Sequence, residues 1–128
     1  MTYTVREVVK AEHTALAVGS GDLQVLATPV MIALMERAAK ECVIDALTDA
    51  QTTVGAMIDV EHLRPTPLGD TVNATAVLTG EEGSRLTFEV KAADSLGIVG
   101  RGTHVRYVVD RERFMNKLKE RNVSENAG

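Results

Sequence analysis

Glu36 is the side chain whose position most clearly suggests chemistry, because it interrupts an apolar stretch. The run Thr28–Leu47 reads TPVMIALMERAAKECVIDAL, and Val30–Met35 is apolar all round. On a helical wheel Glu36 projects at the edge of the apolar face, where a partly dehydrated carboxylate is suited to act as a base near neutral pH. The alternative is a salt bridge to Lys40, one helical turn on, or to Arg37. The residues alone leave both interpretations open.

Thr28 is the second candidate, at the predicted start of a helix. Thr28 suits the N-cap and Pro29 the first helical position, which predicts a helix to Leu47, ~28 Å long at ~1.5 Å per residue. A helix N-terminus presents free N–H groups and a positive dipole that can polarise a carbonyl. Because Pro29 has no N–H, the donors would be Val30 and Met31, or Thr28 itself. A plain N-cap is the alternative.

Histidine supplies the remaining candidates, at three positions. His62 stands near the end of a predicted strand, and a histidine transfers protons readily near neutral pH, although a lone strand histidine can also be structural. His104, within GTHVR, is interpreted as a structural or substrate-lining residue, and His13 carries no signal. With one cysteine, Cys42, and no helical pairing of histidines, we expect no metal site and no internal disulfide.

The remaining elements are mostly strands, placed by alternation of apolar residues and by turn residues. The predicted strands are residues 3–9, 54–63, 71–78, 86–92 and 98–109, with 13–18 as an extension of the first strand or a second short one. Loops or turns are predicted at 19–22, 64–70, 80–84 and 94–97. A short charged helix is predicted at 111–121, and the tail 122–128 should fray.

This order of elements predicts an α+β protein with a hotdog fold, in which one antiparallel sheet wraps around one long helix. The 128 residues form a single domain. A helix this apolar beside one sheet leaves sheet edges and one helix flank uncovered, so we expect a homodimer, with a tetramer also open.

Composition excludes several classes of function. The net charge of −4 and the absence of a basic stripe argue against nucleic acid and anionic membranes as partners. The N-terminus lacks the apolar core of a signal peptide, and no run is long enough to span a bilayer. Together with the lone cysteine, these features favour a cytoplasmic protein.

Three segments, LATPVMIALMERAA, VGAMIDVEHLRPTPLGD and GRGTHVRYVV, resemble the hotdog-fold acyl-CoA thioesterases of the fluoroacetyl-CoA thioesterase type. The resemblance covers about Gly19–Phe114. In that family a Thr at the helix start, a Glu eight residues later and a His before a TPxG turn form the catalytic set. The matching residues are Thr28, Glu36 and His62, with the turn at Thr66–Gly69. Activity on fluoroacetyl-CoA itself is not implied, because it belongs to one branch.

The resemblance implies a hydrolase that cleaves a small or medium acyl-CoA thioester without a cofactor, since coenzyme A is part of the substrate. Glu36 would be base or nucleophile, Thr28 would position water or the carbonyl, and His62 would assist. Residues expected to line or bind the substrate are Val30, Met31, Arg64, Gly69 and His104, with Arg101 and Arg106 as further candidates for the phosphates. One alternative is a non-catalytic hotdog protein that binds an acyl-CoA or another small ligand. A second is a hydratase-type hotdog enzyme, although no segment of this sequence matches the Asp/His pair of such enzymes. An acyl carrier protein could replace coenzyme A as the carrier.

The spacing of Thr28 and Glu36 constrains the site. Eight residues on one helix rise roughly 12 Å, too far for a direct hydrogen bond. Either the first turn is irregular, or the working site combines groups from two subunits. We therefore expect the site at a dimer interface.

Overall fold

A single helix lies against one face of a five-stranded antiparallel sheet. The computed structural model describes residues 1–121, and the predicted fraying of 122–128 lies outside them. The helix, α2, spans Thr28–Val43 and ends in a 3₁₀ turn at Ile44–Ala46. The predicted helix to Leu47 was therefore too long by one turn of regular α-helix, because the chain tightens before it enters the next strand.

The sheet contains five strands in the order β1-β3-β4-β5-β2. Strands β3, β4 and β5 form the predicted meander, whereas the chain crosses between β2 and β3, so that β1 and β2 are the two edges. A short helix, α1, at Ala15–Val18 precedes α2, and α3 at Arg111–Lys119 follows the sheet. The strand bounds are β1 Thr2–Val8, β2 Gln51–His62, β3 Thr71–Glu82, β4 Arg85–Asp94 and β5 Gly97–Asp110.

The core forms between α2 and the concave face of the sheet. The predicted alternation in β4 is confirmed, because Leu86, Phe88, Val90 and Ala92 are buried. The inner face of α2 supplies six buried residues spaced three and four apart, as one face of a helix requires. They are Met31, Leu34, Met35, Ala38, Ala39 and Val43. The first turns are apolar all round but are not buried on every side, since Ala33 is exposed and Ile32 half-buried.

Two glycines of β5 let the layers approach closely. A Cβ at Gly100 would collide with the sulfur of Met31, and one at Gly102 would collide with the carbonyl oxygen of Asp59 on β2. Any larger side chain at either position would force the helix or the edge strand away from β5. These glycines therefore bring α2 and β2 close enough to share a site.

The middle of the edge strand β2 is exposed and apolar. Ala56, Met57 and Ile58 are all exposed, and a bulge at Ala56 shifts the register between Gly55 and Met57. The outer edge of β2 pairs with no other strand of residues 1–121. An exposed apolar edge of this kind is where another chain can add to a sheet.

The largest error of sequence interpretation concerns residues 13–18. Instead of a strand, Thr14 caps the short helix α1 by accepting a hydrogen bond from the Ala17 N–H, and Gly19 ends it at a φ of 81°. Left-handed glycine and a Thr cap are helix signals that outweigh the β-branched composition. Strand β3 also runs through the predicted turn at Gly80 by means of a bulge, and only Gly83 and Ser84 form the turn.

Candidate active site

Thr28 and His62 form a direct pair where the start of α2 meets the end of β2. The Thr28 hydroxyl lies 2.7 Å from Nδ1 of His62. Thr28 is the first residue of the helix, and the N-cap is Ala27, which makes no side-chain cap. The predicted N-cap role of Thr28 was therefore wrong, because its hydroxyl is directed to a residue 34 positions away.

His62 is half-buried and its second ring nitrogen is unused. Nε2 is inaccessible to solvent and has no hydrogen-bond partner within residues 1–121. Burial lowers the pKa of His62, and the nearby carbonyl of Arg64 opposes this only in part. The imidazole is therefore neutral at pH 7, and the hydrogen-bonding capacity of Nε2 is unmet within residues 1–121.

A cavity of about 260 Å³ opens beside the pair. Its apolar wall comes from α1 and from the segment that leads into α2, and Arg64 lies at its polar side. The lining residues are Ala15, Ser20, Val25, Leu26, Thr28, His62, Leu63, Arg64 and Pro65. The cavity is a small depression that is open to solvent and has both apolar and polar groups in its wall.

Glu36 lies on the same helix beside a buried arginine. Its Oε2 is 3.9 Å from Nη1 of Arg106, and the Glu36 side chain is 41% exposed whereas that of Arg106 is 8% exposed. Neither Lys40 nor Arg37 is the partner, because Lys40 pairs with Glu41. The carboxylate is therefore both reachable from solvent and held next to a positive charge.

Arg106 is fixed by β2 and by His104. Its Nε donates to the Thr53 hydroxyl at 2.8 Å and its Nη2 to the Thr53 carbonyl at 3.0 Å. His104, 1% exposed, lies 2.7 Å through Nδ1 from the Met57 carbonyl and 3.2 Å through Nε2 from Arg106. Because only a protonated Nδ1 can donate to that carbonyl, Nε2 accepts from the guanidinium. His104 thus acts as a neutral support for Arg106.

These contacts form two groups along the β2 edge. The first consists of Thr28 and His62, the second of Glu36 with Arg106 over Gly55. Since α2 is regular from Thr28, Thr28 and Glu36 are roughly 12 Å apart along its axis. An irregular first turn, one of the two predicted ways to bring them together, is therefore excluded.

Comparison with known proteins identifies the family of this chain. The family model described as fluoroacetyl-CoA-specific thioesterase matches residues 9–112, which is most of the chain. The chain belongs to the fluoroacetyl-CoA-specific thioesterase family. A curated fluoroacetyl-CoA thioesterase from Streptantibioticus cattleyicolor is 38% identical over 98 residues, 77% of this chain and 70% of that protein.

Solved structures agree with this family. A fluoroacetyl-CoA thioesterase structure matches with a TM-score of 0.89 and 32% identity, and 95% of each chain is covered. A mutant of that enzyme in complex with fluoroacetate and CoA matches with a TM-score of 0.84 and 33% identity, over 89% of this chain and 96% of that one. A Thermus thermophilus protein described as a thioesterase superfamily member matches with a TM-score of 0.85 and 26% identity. The match covers 94% of this chain and 92% of that one. The predictions of a hotdog fold and of thioesterase activity are confirmed.

In this member of the fluoroacetyl-CoA-specific thioesterase family, some predicted substrate residues have other roles. Met31 is fully buried in the core, beside Met35 and Leu34. The N–H groups of Val30 and Met31 are both bonded to the Ala27 carbonyl, because the helix begins one residue earlier than predicted. The Thr28 N–H, by contrast, makes no backbone hydrogen bond within residues 1–121.

The other residues predicted to contact the substrate also include some that have structural roles. His104 is a buried support and does not line the surface, which corrects its assignment to the substrate. Gly69 adopts a φ of 90° and its N–H donates to the Val9 carbonyl, so it shapes the turn. Arg64 lines the cavity, although its Nε is bonded to the Ile98 carbonyl, and Arg101 is exposed on the outer face of the sheet. Arg106 is buried, and it is therefore not available to phosphates.

Sequence interpretation missed the residues that hold Glu36. Thr53 and Gly55 were given no role, and Arg106 was only a candidate for the phosphates, although it has the same strand parity as Gly100, Gly102 and His104. That parity places Arg106 on the face of β5 that packs towards α2. The shared parity was the one signal in the sequence that could have found it.

Within residues 1–121 no cluster of three or more His, Cys, Asp or Glu residues is placed to hold a metal ion. Nor does any helix of these residues have the length and apolar character needed to cross a membrane.

Replacing Gly55 by alanine is expected to lower kcat by about 10- to 100-fold, because the new methyl group displaces the Glu36 carboxylate. The added Cβ would lie 2.8 Å from Oε2 of Glu36 and 3.4 Å from Nη1 of Arg106. Both are ends of flexible side chains, so the fold should persist. Steady-state kinetics beside circular dichroism measure the two effects.

The matched control is alanine at Gly80, which also lies next to a bulge in a strand. There the added Cβ meets only Thr87, at an ordinary contact distance of 3.6 Å. Activity of the Gly80→Ala variant should stay within about two-fold of the wild type. Equal activity of both variants would show that Glu36 tolerates displacement.

The free energy of unfolding should fall as the pH decreases below about 6.5, the ordinary pKa of histidine. Burial lowers the pKa of His104 and of His62, so the unfolded chain binds protons where the folded protein does not. This stability is complete above about pH 6.5 and is lost as the pH falls through the folded pKa values, by up to about 1.4 kcal/mol per pH unit for His104.

Urea unfolding at about pH 7.5, 6.5 and 5.5 measures this dependence. The His104→Gln variant cannot titrate at that position and should show a shallower dependence. Wild-type stability that is constant across the range would contradict the neutral state of His104.

Proposed function

We propose that this thioesterase hydrolyses a small acyl-CoA thioester at a site shared by two copies of the chain, with medium acyl groups as poorer substrates. Thr28 and His62 of one copy would act together with Glu36 of the other. The observation that carries the proposal is the 2.7 Å contact between Thr28 and His62 beside an open cavity, with His62 Nε2 unused.

The exposed β2 edge supports association of two copies. If two β2 strands pair antiparallel about a two-fold axis near the middle of β2, Gly55 of one copy comes close to the His62 end of the other. Gly55 lies towards the start of the strand, and His62 is its last residue. Glu36 lies over Gly55. That pairing would cover Met57 and Ile58 and bring Glu36 of one copy towards the Thr28–His62 pair of the other.

The chemistry follows from these groups. The Thr28 hydroxyl and N–H would donate to the thioester carbonyl oxygen, where negative charge develops in the transition state. Glu36 would either accept the proton of an attacking water or attack the acyl carbon itself, giving an anhydride that water then cleaves. In both routes the C–S bond breaks and a proton passes to the thiolate. With a general base the oxygen of water enters the acid directly, whereas on the anhydride water attacks either carbonyl carbon and the other carboxylate leaves.

The substrate class is supported by the relatives and by the cavity. The related enzyme is named for fluoroacetyl-CoA, and a mutant of it was solved with fluoroacetate and CoA. A cavity of about 260 Å³ lined by Ala15, Val25 and Leu26 would hold a short apolar acyl group. Arg64 at its side would be placed near the pantetheine arm.

Thiol release from a panel of CoA esters tests this proposal. The panel contains acetyl, fluoroacetyl, propionyl, isobutyryl, benzoyl and octanoyl esters, and we expect turnover to be fastest among the first four. Equal rates on acetyl- and octanoyl-CoA would contradict the size limit. Binding of CoA esters without thiol release would support the non-catalytic alternative. Thiol release only from thioesters of an acyl carrier protein would show that this protein, and not coenzyme A, carries the acyl group.

We also propose that the enzyme acts in the cytoplasm. Its one cysteine, Cys42, is free and half-buried in α2, which is compatible with a reducing compartment.

A further inference from the structure

We propose that Thr66, fixed by the buried carboxylate of Asp94, is a positioning residue that sets the geometry of the Thr28–His62 pair. The inference rests on the proposed function, because that pair is the proposed catalytic one. It adds two residues to the site that contact neither Thr28 nor His62 by hydrogen bond.

Thr66 connects the turn after His62 to the start of α2. Its side chain is fully buried, and its carbonyl accepts a hydrogen bond from the Leu26 N–H at 2.8 Å. Leu26 precedes Thr28 by two residues, and the neighbouring Val25 forms a bridge with Pro67. The position of Thr28 therefore depends on the position of the turn.

The other side of the pair is fixed to β5. The N–H groups of Leu63 and Arg64 both reach the Val99 carbonyl, at 2.6 and 3.3 Å, and Arg64 Nε donates to the Ile98 carbonyl at 3.2 Å. The backbone just after His62 is thus held by β5 independently of α2. Thr66 is where this segment and the start of the helix are joined.

Asp94 holds Thr66 in place at the end of β4. Its Oδ2 accepts from the Thr66 hydroxyl at 2.8 Å, its Oδ1 accepts from the Leu96 N–H at 2.9 Å, and Arg64 Nη2 lies 3.7 Å away. The Asp94 side chain is 3% exposed, and a buried carboxylate is tolerated only when hydrogen bonds and an opposite charge compensate it. Both oxygens are occupied, which assigns Asp94 to positioning rather than to proton transfer.

The test is Thr66→Val, which keeps the shape of the side chain and removes the hydroxyl. We expect kcat to fall by about 10- to 100-fold with KM within about three-fold, because a displacement of about 1 Å is costly for catalysis and cheap for binding. Thr66→Ser restores the hydroxyl and should return kcat to within about three-fold of the wild type. The ¹⁵N shifts of the His62 ring should change in the valine variant and return in the serine variant.

Asp70→Asn is the matched control, because Asp70 is a carboxylate near the same turn. It binds Ser95 Oγ at 2.8 Å and the Thr71 N–H at 2.8 Å, and it has no hydrogen bond to Thr66 or His62. Its kcat should stay within about two-fold of the wild type.

Two results would overturn the proposal: an unchanged kcat with unchanged His62 signals in Thr66→Val, or a raised KM with kcat preserved. If the valine variant does not fold, Asp94→Asn tests the same contact. The asparagine NH₂ group is itself a donor, so it would face one of the three donors around residue 94, which are the Thr66 hydroxyl, the Leu96 N–H and Arg64 Nη2. The expected loss is then about 3- to 10-fold, and an unchanged kcat overturns the proposal equally. A wild type without thiol release would contradict the proposed function instead, so the two failures are distinguishable.

Discussion

Replacing Glu36 by glutamine is expected to lower kcat by about 10²- to 10⁴-fold with little change in KM, because the amide can neither accept a proton nor attack a carbonyl. The variant should fold normally. The charged atoms of Glu36 and Arg106 are 3.9 Å apart, and the Glu36 side chain is 41% exposed. The ion pair therefore contributes about 1 kcal/mol or less to the free energy of unfolding. Arg106 also keeps its bonds to Thr53 and His104.

Glu41→Gln is the control for this substitution. Glu41 lies on the same helix and pairs with Lys40, away from Gly55 and Arg106. Thiol release from the best acyl-CoA of the panel should be unaffected in Glu41→Gln. Full activity of Glu36→Gln would remove Glu36 from the mechanism.

Hydrolysis in ¹⁸O-labelled water then separates the two roles of Glu36. In a single turnover with enzyme in excess, a general base delivers the label to the acid directly. A nucleophilic Glu36 becomes labelled itself in every turnover in which water attacks the anhydride at the Glu36 carbonyl, and the acid then carries an unlabelled oxygen from the enzyme. Label in the Glu36 carboxylate therefore indicates the nucleophilic route.

Mixing two inactive variants should restore activity. If Glu36 of one copy acts with His62 of the other, a mixed dimer of Glu36→Gln and His62→Asn subunits has one intact site and one doubly defective site. Random association gives half mixed dimers, so we expect about a quarter of wild-type activity from a preparation in which each parent is nearly inactive. Refolding the two variants together and measuring thiol release provides the comparison.

The alternative arrangement predicts the opposite. If all groups came from one chain, every site in a mixed dimer would keep one defect, and the mixture would be as inactive as its parents. Each variant refolded alone is the control. A monomer in sedimentation experiments would also contradict a shared site.

The fold was largely predictable because apolar periodicity determines it. The alternation in β4 and the apolar run after Thr28 both identified their elements without any long-range information. The segment at Thr14 was misassigned because a single cap and a left-handed Gly19 decide its structure. Such local hydrogen bonds are not visible in a pattern of apolar residues.

The site was predictable only in part. The resemblance identified Thr28, Glu36 and His62, and the structure brings the first and last together while Glu36 stays apart within one chain. Burial of Arg106 depends on the register of β5 with β2, which places it opposite Gly55 and beside Thr53. Strand parity can show which face of β5 Arg106 lies on, but it does not reveal Thr53, 53 positions away, as its partner.

The turn at Gly83 and Ser84 lies at the opposite end of β3 from the turn at Thr66–Gly69, because β3 runs from Thr71 to Glu82. The Gly83 backbone has a φ of 60° and open space around it. A peptide tag, a fluorophore or new chain termini made by circular permutation should be accommodated there without loss of turnover. The same insertion between Pro65 and Gly69 should inactivate the enzyme. The two turns are therefore useful as a permissive and a forbidden attachment point.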